Sequence, residues 1–342
     1  MTMHRTRVQL GDRSYDVVVG RGSLRELAGL VPTDAKRVAI VTQNGVPADV
    51  APHLPTHVVT SRHIVGESED DKSLATIERL CEEFASVGLT RQDLVLGVGG
   101  GMVTDIAGFA AASWHRGVRV AHVSTTLVGM IDAAIGGKTG VNLRSGKNLV
   151  GAFWQPCGVV CDTALLDSLP EREQRCGRGE MAKYHFLTGD DLLALDLDER
   201  VARCVQIKAD IVGNDERESG RRAVLNYGHT LGHALEIATD FALAHGEAVA
   251  VGMMFAAHLA RALGRIDDAR VELHRRVIQQ HYGLSVSVPS GIDRRRLVEL
   301  MHNDKKAIDG LTFVLDGPHG IEVVRGVEAS ALDAAFTALS VP

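Results

Sequence analysis

The sequence predicts a two-domain α/β protein with a parallel sheet in its first half and helices in its second. Two short apolar runs, Arg37–Thr42 and residues 93–98, are typical of buried parallel strands. Between them, apolar residues recur at helical spacing over residues 74–87 and end at Gly88, a natural C-cap. Strand, helix and strand in this order favour a parallel sheet with crossover helices.

The flanking segments extend this pattern. Two β-prone runs within residues 8–19 surround a four-residue turn, 11–14, and so predict a hairpin at the start of the chain. A further β-prone segment, 118–123, follows a helix that we expect to begin near Thr104. These elements complete the predicted α/β domain.

Helical periodicity dominates the second half, over residues 192–263 and again over 269–282. We therefore expect an α/β domain over 1–160 and a mainly α-helical domain over 161–342, with a boundary placed to within about ten residues.

Composition excludes several classes of protein. The 342 residues carry a formal net charge of −6 and only 4% aromatic residues, which argues against a nucleic-acid partner. The five cysteines are odd in number and form no CxxC pair, so a disulfide framework is not indicated. The start of the chain has no signal-peptide pattern and no apolar run reaches bilayer length. We expect a cytoplasmic protein without a membrane partner.

A glycine-rich loop, residues 97–101, follows the second predicted strand and opens a helix. Glycines let a backbone approach a pyrophosphate, and the helix N-terminus offers free N–H groups. The spacing is not GxGxxG, so a purely structural turn stays open, as does a helix-start role for Asp105. Hydroxyls of Ser124, Thr125 and Thr126 follow the next strand, where ligands of open α/β sheets gather.

Three histidines and a glutamate are candidate metal ligands. His229 and His233 are four residues apart and share a helix face, His245 follows, and Glu180 lies upstream among small and apolar neighbours. Two or three imidazoles and one carboxylate form the usual ligand set of a catalytic zinc-type ion. A helix with ordinary core or surface histidines is the alternative. Lys183 follows Glu180 by three residues and would lie beside it.

Cations accompany these motifs. Lys138 and Lys147 lie in glycine-rich surroundings. Further cationic residues accompany them along the chain: Arg116, Lys183, Lys208, Arg222, Lys305 and Lys306. Converging cations would suit a small phosphorylated and carboxylated substrate, whereas solvated surface lysines are the alternative. Glu218 and Arg222 have the i, i+4 spacing of an exposed ion pair.

Ordered motifs between about residues 37 and 315 resemble the 3-dehydroquinate synthase family. The motifs are Gly99-Gly100-Gly101 with Asp105, Ser124-Thr125-Thr126, Asp132 with residues 136–142, Gly146-Lys147-Asn148, residues 180–184, residues 225–229, His245-Gly246-Glu247 and Asp304-Lys305-Lys306. The family has an N-terminal nucleotide-binding α/β part and a C-terminal helical part, which agrees with the domains expected above.

The resemblance implies roles for these residues. Glu180, His229 and His245 would bind zinc or cobalt, and His233 would instead contact substrate. NAD would contact Gly100, Gly101, Asp105, Thr125, Thr126, Lys138 and Lys147, with Glu67 and Lys72 near the adenosine end. The segment from Glu67 to Lys72 departs from the family's shorter glutamate-to-lysine spacing.

Substrate contacts and catalysis follow in the same way. The substrate residues would be Asp132, Lys138, Asn148, Lys183, Lys208, Arg222, Asn226, His233 and one of Lys305 or Lys306. Lys183 would be catalytic, with His233 and Glu218 as candidates for proton relay. Arg116 resembles an arginine that reaches the neighbouring subunit's site, which implies a homodimer.

The family converts 3-deoxy-arabino-heptulosonate 7-phosphate into 3-dehydroquinate and phosphate. The steps are transient oxidation by NAD, phosphate elimination, reduction, ring opening and aldol closure. One alternative is another sugar phosphate cyclase, acting on sedoheptulose 7-phosphate or glucose 6-phosphate, but Asn226 and His233 match the dehydroquinate type. A metal-dependent polyol dehydrogenase is a second alternative, and it would not need phosphate-binding lysines.

Overall fold

A computed structural model describes residues 2–304 and 311–340. The chain forms two compact units. The first comprises Met1–Leu169 and Leu195–Arg217, and the second comprises Pro170–Ala194 and Glu218–Pro342. The sequence interpretation placed the segment Leu195–Arg217 in the helical domain, 161–342. In the structure this segment belongs to the first unit. The assignment of a cofactor or substrate to either domain stays a prediction.

The first unit contains a seven-stranded sheet in the order β1-β2-β9-β6-β5-β3-β4. Its strands are β1 (His4–Val8), β2 (Tyr15–Val19), β3 (Arg37–Thr42), β4 (Val59–Ile64), β5 (Leu94–Gly99), β6 (Arg119–Ser124) and β9 (Gly158–Cys161). The pair β1–β2 is antiparallel, which confirms the initial hairpin, and every other pairing is parallel. The predicted fold class, a parallel α/β domain followed by helices, is confirmed.

Helices α1 (Leu74–Ser86), α2 (Gly101–Ser113) and α4 (Leu197–Asn214) complete this unit. α1 begins where Ser73 accepts a hydrogen bond from the backbone N–H of Thr76, an N-cap. α2 begins at Gly101, three residues before the predicted start near Thr104. Its apolar side chains pack with those of α1 in one core beside the sheet.

The glycine-rich segments around Lys138 and Lys147 form two strands. β7 (Lys138–Leu143) and β8 (Gly146–Phe153) pair as an antiparallel hairpin. Val141 and Val150 are opposite each other and pack with the core that contains α2. The burial of this apolar pair outweighs the low strand preference of the neighbouring glycines.

The second unit is mainly helical. Its elements are α3 (Glu171–Thr188), α5 (His229–Ala238), α6 (His245–Ala262), α7 (Asp268–Arg275), α8 (Arg294–Asp304), β10 (Leu311–Leu315), β11 (Glu322–Val327) and α9 (Ala329–Leu339). α6 is buried along most of its length, and β10 and β11 form an antiparallel hairpin. Within residues 2–304 and 311–340, no helix is both long and apolar enough to cross a membrane.

Candidate metal and nucleotide sites

Three helices of the second unit carry the candidate metal ligands. Glu180 lies in the middle of α3, whereas His229 and His245 are the first residues of α5 and α6. α5 and α6 approach closely through glycines, because a Cβ added to Gly252 would lie 1.9 Å from the carbonyl oxygen of Gly228. Gly228 also has a φ of +83°, a conformation that favours glycine, and it sets the turn into His229.

The side chains of these residues converge on one point. Glu180 Oε1 lies 3.3 Å from His229 Nε2 and 2.9 Å from His245 Nε2. One ligand atom from each residue lies within 4.8 Å of the other two. A carboxylate oxygen and two imidazole nitrogens at this spacing fit a zinc-type divalent ion with an open coordination position.

The charges of this cluster favour cation binding. Glu180 is fully buried, and its Oε2 lies 2.6 Å from the ammonium nitrogen of Lys183, as their i, i+3 spacing predicts. Burial alone would raise the pKa of Glu180, but Lys183 and His229 hold that pKa well below its usual value. The Glu180 carboxylate is therefore ionised at neutral pH.

The two imidazoles of the cluster differ. Burial lowers the pKa of His229, which leaves a neutral ring able to act as a ligand. Burial acts in the same direction on His245, but hydrogen bonds with Glu180 and Glu236 raise its pKa to about 10. A metal ion at His245 therefore competes with a proton.

A second layer of contacts orients His229. Its Nδ1 donates to the carbonyl oxygen of Tyr227 at 3.2 Å, which leaves Nε2 facing Glu180. The hydroxyl of Tyr227 contacts Nε2 of the buried His274 at 2.8 Å. His274 stacks on Phe186 of α3 with ring centroids 3.9 Å apart. The ligand on α5 is thereby linked to the helix that carries Glu180.

Among the predicted substrate residues of this unit, His233 lies beside the same cluster. The His233 ring is 5.4 Å from that of His229 and 6.1 Å from that of His245. Asn226 donates to Glu218 Oε1 at 3.0 Å. Glu218 has a φ of +58°, which is strained for a residue with a side chain. This strain is consistent with a functional constraint at Glu218, and its role as a proton relay stays a prediction.

The glycine loop of the first unit leads into the N-terminus of α2. Gly100 is the N-cap of α2 and has no side chain to cap the first amides of that helix. A Cβ on Gly100 would lie 2.9 Å from the Thr126 side chain, and one on Gly101 would lie 3.0 Å from Ala133. This close packing requires glycine at both positions, and the N-terminus of α2, which no side chain caps, fits an anionic ligand.

Three predicted site residues of the first unit meet in one network. The ammonium of the buried Lys72 donates to Asp105 Oδ2 and to Asn148 Oδ1, each at 2.5 Å. Burial raises the pKa of Asp105 to about 6, although Lys72 acts in the opposite direction. The network thus joins β8 to α2 at the residues that the resemblance assigns to NAD and substrate.

The sequence analysis missed Glu69 in this network. Asn142 donates to Glu69 Oε1 at 2.8 Å, and Asn142 Oδ1 accepts from the backbone N–H of Asn148. Glu67, the residue assigned to the adenosine end, is exposed. The available signal was the spacing of Ser68 and Asp71, which form a capping box around the short helix that begins at Glu69.

The remaining predicted residues are distributed as follows. The buried Lys208 of α4 donates to the side-chain and backbone oxygens of Asp132, and Arg222 is buried in the second unit. Lys138, Lys147 and Arg116 are exposed. Lys305 and Lys306 lie outside the described residues.

Comparisons with known proteins fit this geometry. The model of the 3-dehydroquinate synthase N-terminal domain matches residues 62–176, and that of the C-terminal domain matches residues 157–307. A protein of Amycolatopsis mediterranei, provisionally named as an aminodehydroquinate synthase, is 52% identical over 94% of this chain and 91% of its own length. The 3-dehydroquinate synthase of Saccharopolyspora erythraea is 42% identical over 95% of this chain and 92% of its own.

A solved structure extends the comparison. It shows 2-deoxy-scyllo-inosose synthase with carbaglucose-6-phosphate, NAD⁺ and Co²⁺, and it matches with a TM-score of 0.89 and 25% identity. The match covers 97% of this chain and 99% of that one. On the domain matches and the extent of these identities, the chain belongs to the 3-dehydroquinate synthase family.

Proposed function

We propose that this chain catalyses the 3-dehydroquinate synthase reaction, in which 3-deoxy-arabino-heptulosonate 7-phosphate yields 3-dehydroquinate and phosphate. The observation that carries the proposal is the fully buried Glu180 carboxylate, which lies within 3.3 Å of His229, His245 and Lys183. When bound, NAD accepts and returns a hydride, and a divalent ion, zinc or cobalt, acts as a Lewis acid. The overall reaction eliminates phosphate without net oxidation, so the proposed enzyme is a lyase.

The metal-site residues have separate tasks in this proposal. Glu180, His229 and His245 hold the ion, and the Lys183 ammonium stabilises negative charge that develops on substrate oxygens. Lys183 suits this task because it is 1% exposed, and charge stabilisation is strongest where water is excluded. We assign proton transfer to the imidazole of His233 and the carboxylate of Glu218.

Phosphate and carboxylate groups of the substrate require cations and neutral donors. We assign substrate binding to Lys138, Asn148, Lys208, Arg222, Asn226, His233 and one of Lys305 or Lys306, with Asp132 as an acceptor for substrate hydroxyls. The glycine loop with Gly100, Gly101, Asp105, Thr125 and Thr126 is assigned to NAD, together with Lys72, Lys138 and Lys147. The support is the uncapped N-terminus of α2 at Gly100 and the Lys72–Asp105–Asn148 network.

The amino analogue of the substrate is a second candidate, and one observation favours it. The relative named as an aminodehydroquinate synthase is 52% identical, against 42% for the 3-dehydroquinate synthase of S. erythraea. Both candidates use the same ring chemistry, and they differ in whether the substrate carries an amine in place of a hydroxyl.

We also propose a cytoplasmic homodimer in which Arg116 reaches the neighbouring subunit's site. Arg116 is exposed, and it follows His115 in two consecutive left-handed residues, with φ of +62° and +50°. Such strain marks a position that function constrains. Inactive Arg116→Ala and Lys183→Ala proteins, when mixed, should regain activity through hybrid dimers. A monomer in sedimentation, or no regain, contradicts the proposal.

In the decisive experiment, the metal-loaded protein and a catalytic amount of NAD are incubated with 3-deoxy-arabino-heptulosonate 7-phosphate and, separately, with its amino analogue. Released phosphate and the carbocyclic product are quantified, and kcat/KM is compared for the two substrates. Sedoheptulose 7-phosphate and glucose 6-phosphate serve as controls. Turnover of a control alone contradicts the proposal and indicates another cyclase. NADH formed in proportion to substrate indicates a dehydrogenase instead.

A further inference from the structure

Both ring nitrogens of His245 face a carboxylate. Its Nε2 lies 2.9 Å from Glu180 Oε1, and its Nδ1 lies 3.1 Å from Glu236 Oε2. Glu236 is near the end of α5, seven residues after His229, so two helical turns place it on the same helix face as that ligand. The Glu236 side chain is only 12% exposed.

An imidazole that binds a metal through Nε2 is neutral and carries its proton on Nδ1. A carboxylate only accepts hydrogen bonds, so Glu236 selects the tautomer whose Nδ1–H points at it. The lone pair of Nε2 is then directed towards Glu180. A carboxylate that accepts a hydrogen bond from one ring nitrogen also makes the other nitrogen a stronger electron-pair donor to a metal ion.

We propose that Glu236 is a positioning residue that fixes the ring of His245 for metal binding. The inference rests on the metal site of the proposed function, and it concerns a residue that is outside the ligand set. His229 obtains the same orientation from the backbone carbonyl of Tyr227. The partner of His245 is a side chain, so substitution can remove it without altering the main chain.

Other contacts hold the backbone around His245 independently of Glu236. Arg172 donates to the carbonyl oxygens of Phe241 and Ala242, just before α6. Glu247 accepts from the backbone N–H of Ala244 at 3.3 Å and from Arg175 Nε at 2.9 Å. Loss of the Glu236 carboxylate therefore frees the His245 ring and leaves the start of α6 in place.

A second geometry competes with this assignment. Ligand atoms of His233, Glu236 and His245 also lie within 4.8 Å of one another, so Glu236 could itself bind an ion. A positioning role predicts one ion per chain with and without Glu236. A ligand role predicts a second ion that disappears with the carboxylate.

The test measures zinc affinity of the full chain by competition with a chromophoric chelator, together with zinc stoichiometry and the visible spectrum of the cobalt-loaded protein. The variants are Glu236→Ala and Glu236→Gln. Glu272→Gln is the matched control, because Glu272 is 59% exposed on α7 and pairs with Arg275. Melting of each metal-free variant checks the fold.

We expect Glu236→Ala to weaken zinc binding about 10- to 100-fold and to alter the cobalt spectrum, with one ion still bound at saturation. Glu236→Gln should lose less, because its amide oxygen still accepts from Nδ1, and Glu272→Gln should match wild type. Wild-type zinc affinity in Glu236→Ala overturns the inference, as does a fall from two ions to one. If Glu236→Ala does not fold, Glu236→Leu is measured in its place, because leucine keeps the bulk of the side chain but accepts no hydrogen bond from Nδ1, and unchanged zinc affinity in that variant overturns the inference. A wild-type protein that binds no zinc contradicts the proposed function itself.

Discussion

The backbone of Gly179 lies against that of Gly246. A Cβ added to Gly179 would lie 2.0 Å from the carbonyl oxygen of Gly246, and one on Gly246 would lie 1.9 Å from that of Cys176. Each glycine is adjacent in sequence to a metal-site residue, Glu180 or His245. This close approach of α3 and α6 is what lets the two side chains meet.

Gly246→Ala should therefore separate α3 from α6. The added methyl meets backbone atoms, which cannot rotate away, so we expect a loss of about 1–3 kcal/mol or more in unfolding free energy. Zinc affinity should fall as well, because Glu180 and His245 move apart. Urea unfolding and zinc titration provide the measurements. Gly29→Ala is the control, since its Cβ meets no atom within 4 Å. Unchanged zinc affinity in Gly246→Ala would contradict the account.

Lys183→Ala should separate metal binding from turnover. Removal of a fixed, buried ammonium should lower kcat by about 10²- to 10³-fold, the usual cost of one charge-stabilising group. Zinc should remain bound, because Glu180, His229 and His245 are intact. Phosphate release and zinc content are measured on the same preparation. Normal turnover would remove Lys183 from the catalytic residues.

Two glutamates near Lys72 offer a matched pair for NAD binding. Both glutamates are exposed, and Glu69 contacts Asn142 in the network that contains Asp105 and Asn148. We expect Glu69→Gln to raise the NAD dissociation constant several-fold, because it weakens the charge-assisted hydrogen bond that Asn142 donates at the surface of this network. Glu67→Gln should bind NAD like wild type. Calorimetric titration distinguishes them, and the reverse ranking would support the original assignment of Glu67.

A buried histidine predicts sensitivity to acid. His122 of β6 lies opposite Gly97 of β5, and burial lowers its pKa to about 4. The unfolded chain, with a histidine pKa near 6.5, takes up a proton that the folded chain does not. The unfolding free energy should therefore fall as pH drops from about 6.5 to 4, by about 1.4 kcal/mol per pH unit for this group.

Replacement of His122 by a residue that does not titrate should reduce that slope. His122→Leu places an apolar side chain of similar size opposite Gly97. Between pH 6.5 and 4, the slope of its unfolding free energy against pH should be smaller by the contribution of about one proton. His274, whose pKa is also lowered to about 4, retains its contribution in the variant. Urea unfolding at pH 7, 6 and 5 provides the comparison. Equal slopes in both proteins would contradict the buried, neutral state of His122.

The short-range pattern of apolar residues predicted individual strands and helices, but not how they cluster into units. β3 has the bounds that the sequence indicated, since its β-branched apolar run is buried within the sheet. The place of Leu195–Arg217 in the first unit could not be predicted, because amphipathic periodicity shows that a helix has an apolar face but not which surface covers it.

In the metal site, too, the sequence predicted contacts within one helix but not contacts between helices. Helical spacing alone brought Lys183 beside Glu180, and the structure confirms this contact. Spacing also grouped His229 with His233, whereas the atoms that meet Glu180 belong to His229 and to the distant His245. That meeting depends on glycine contacts between helices, which no single segment of sequence reveals.

The most direct test of the central claim is the zinc stoichiometry of the purified chain and of Glu180→Ala after dialysis against buffered zinc. The account predicts one tightly bound ion per wild-type chain and none in the variant, because the variant keeps only two imidazoles of the set. Equal zinc content in the two proteins, or no zinc in either, would contradict it.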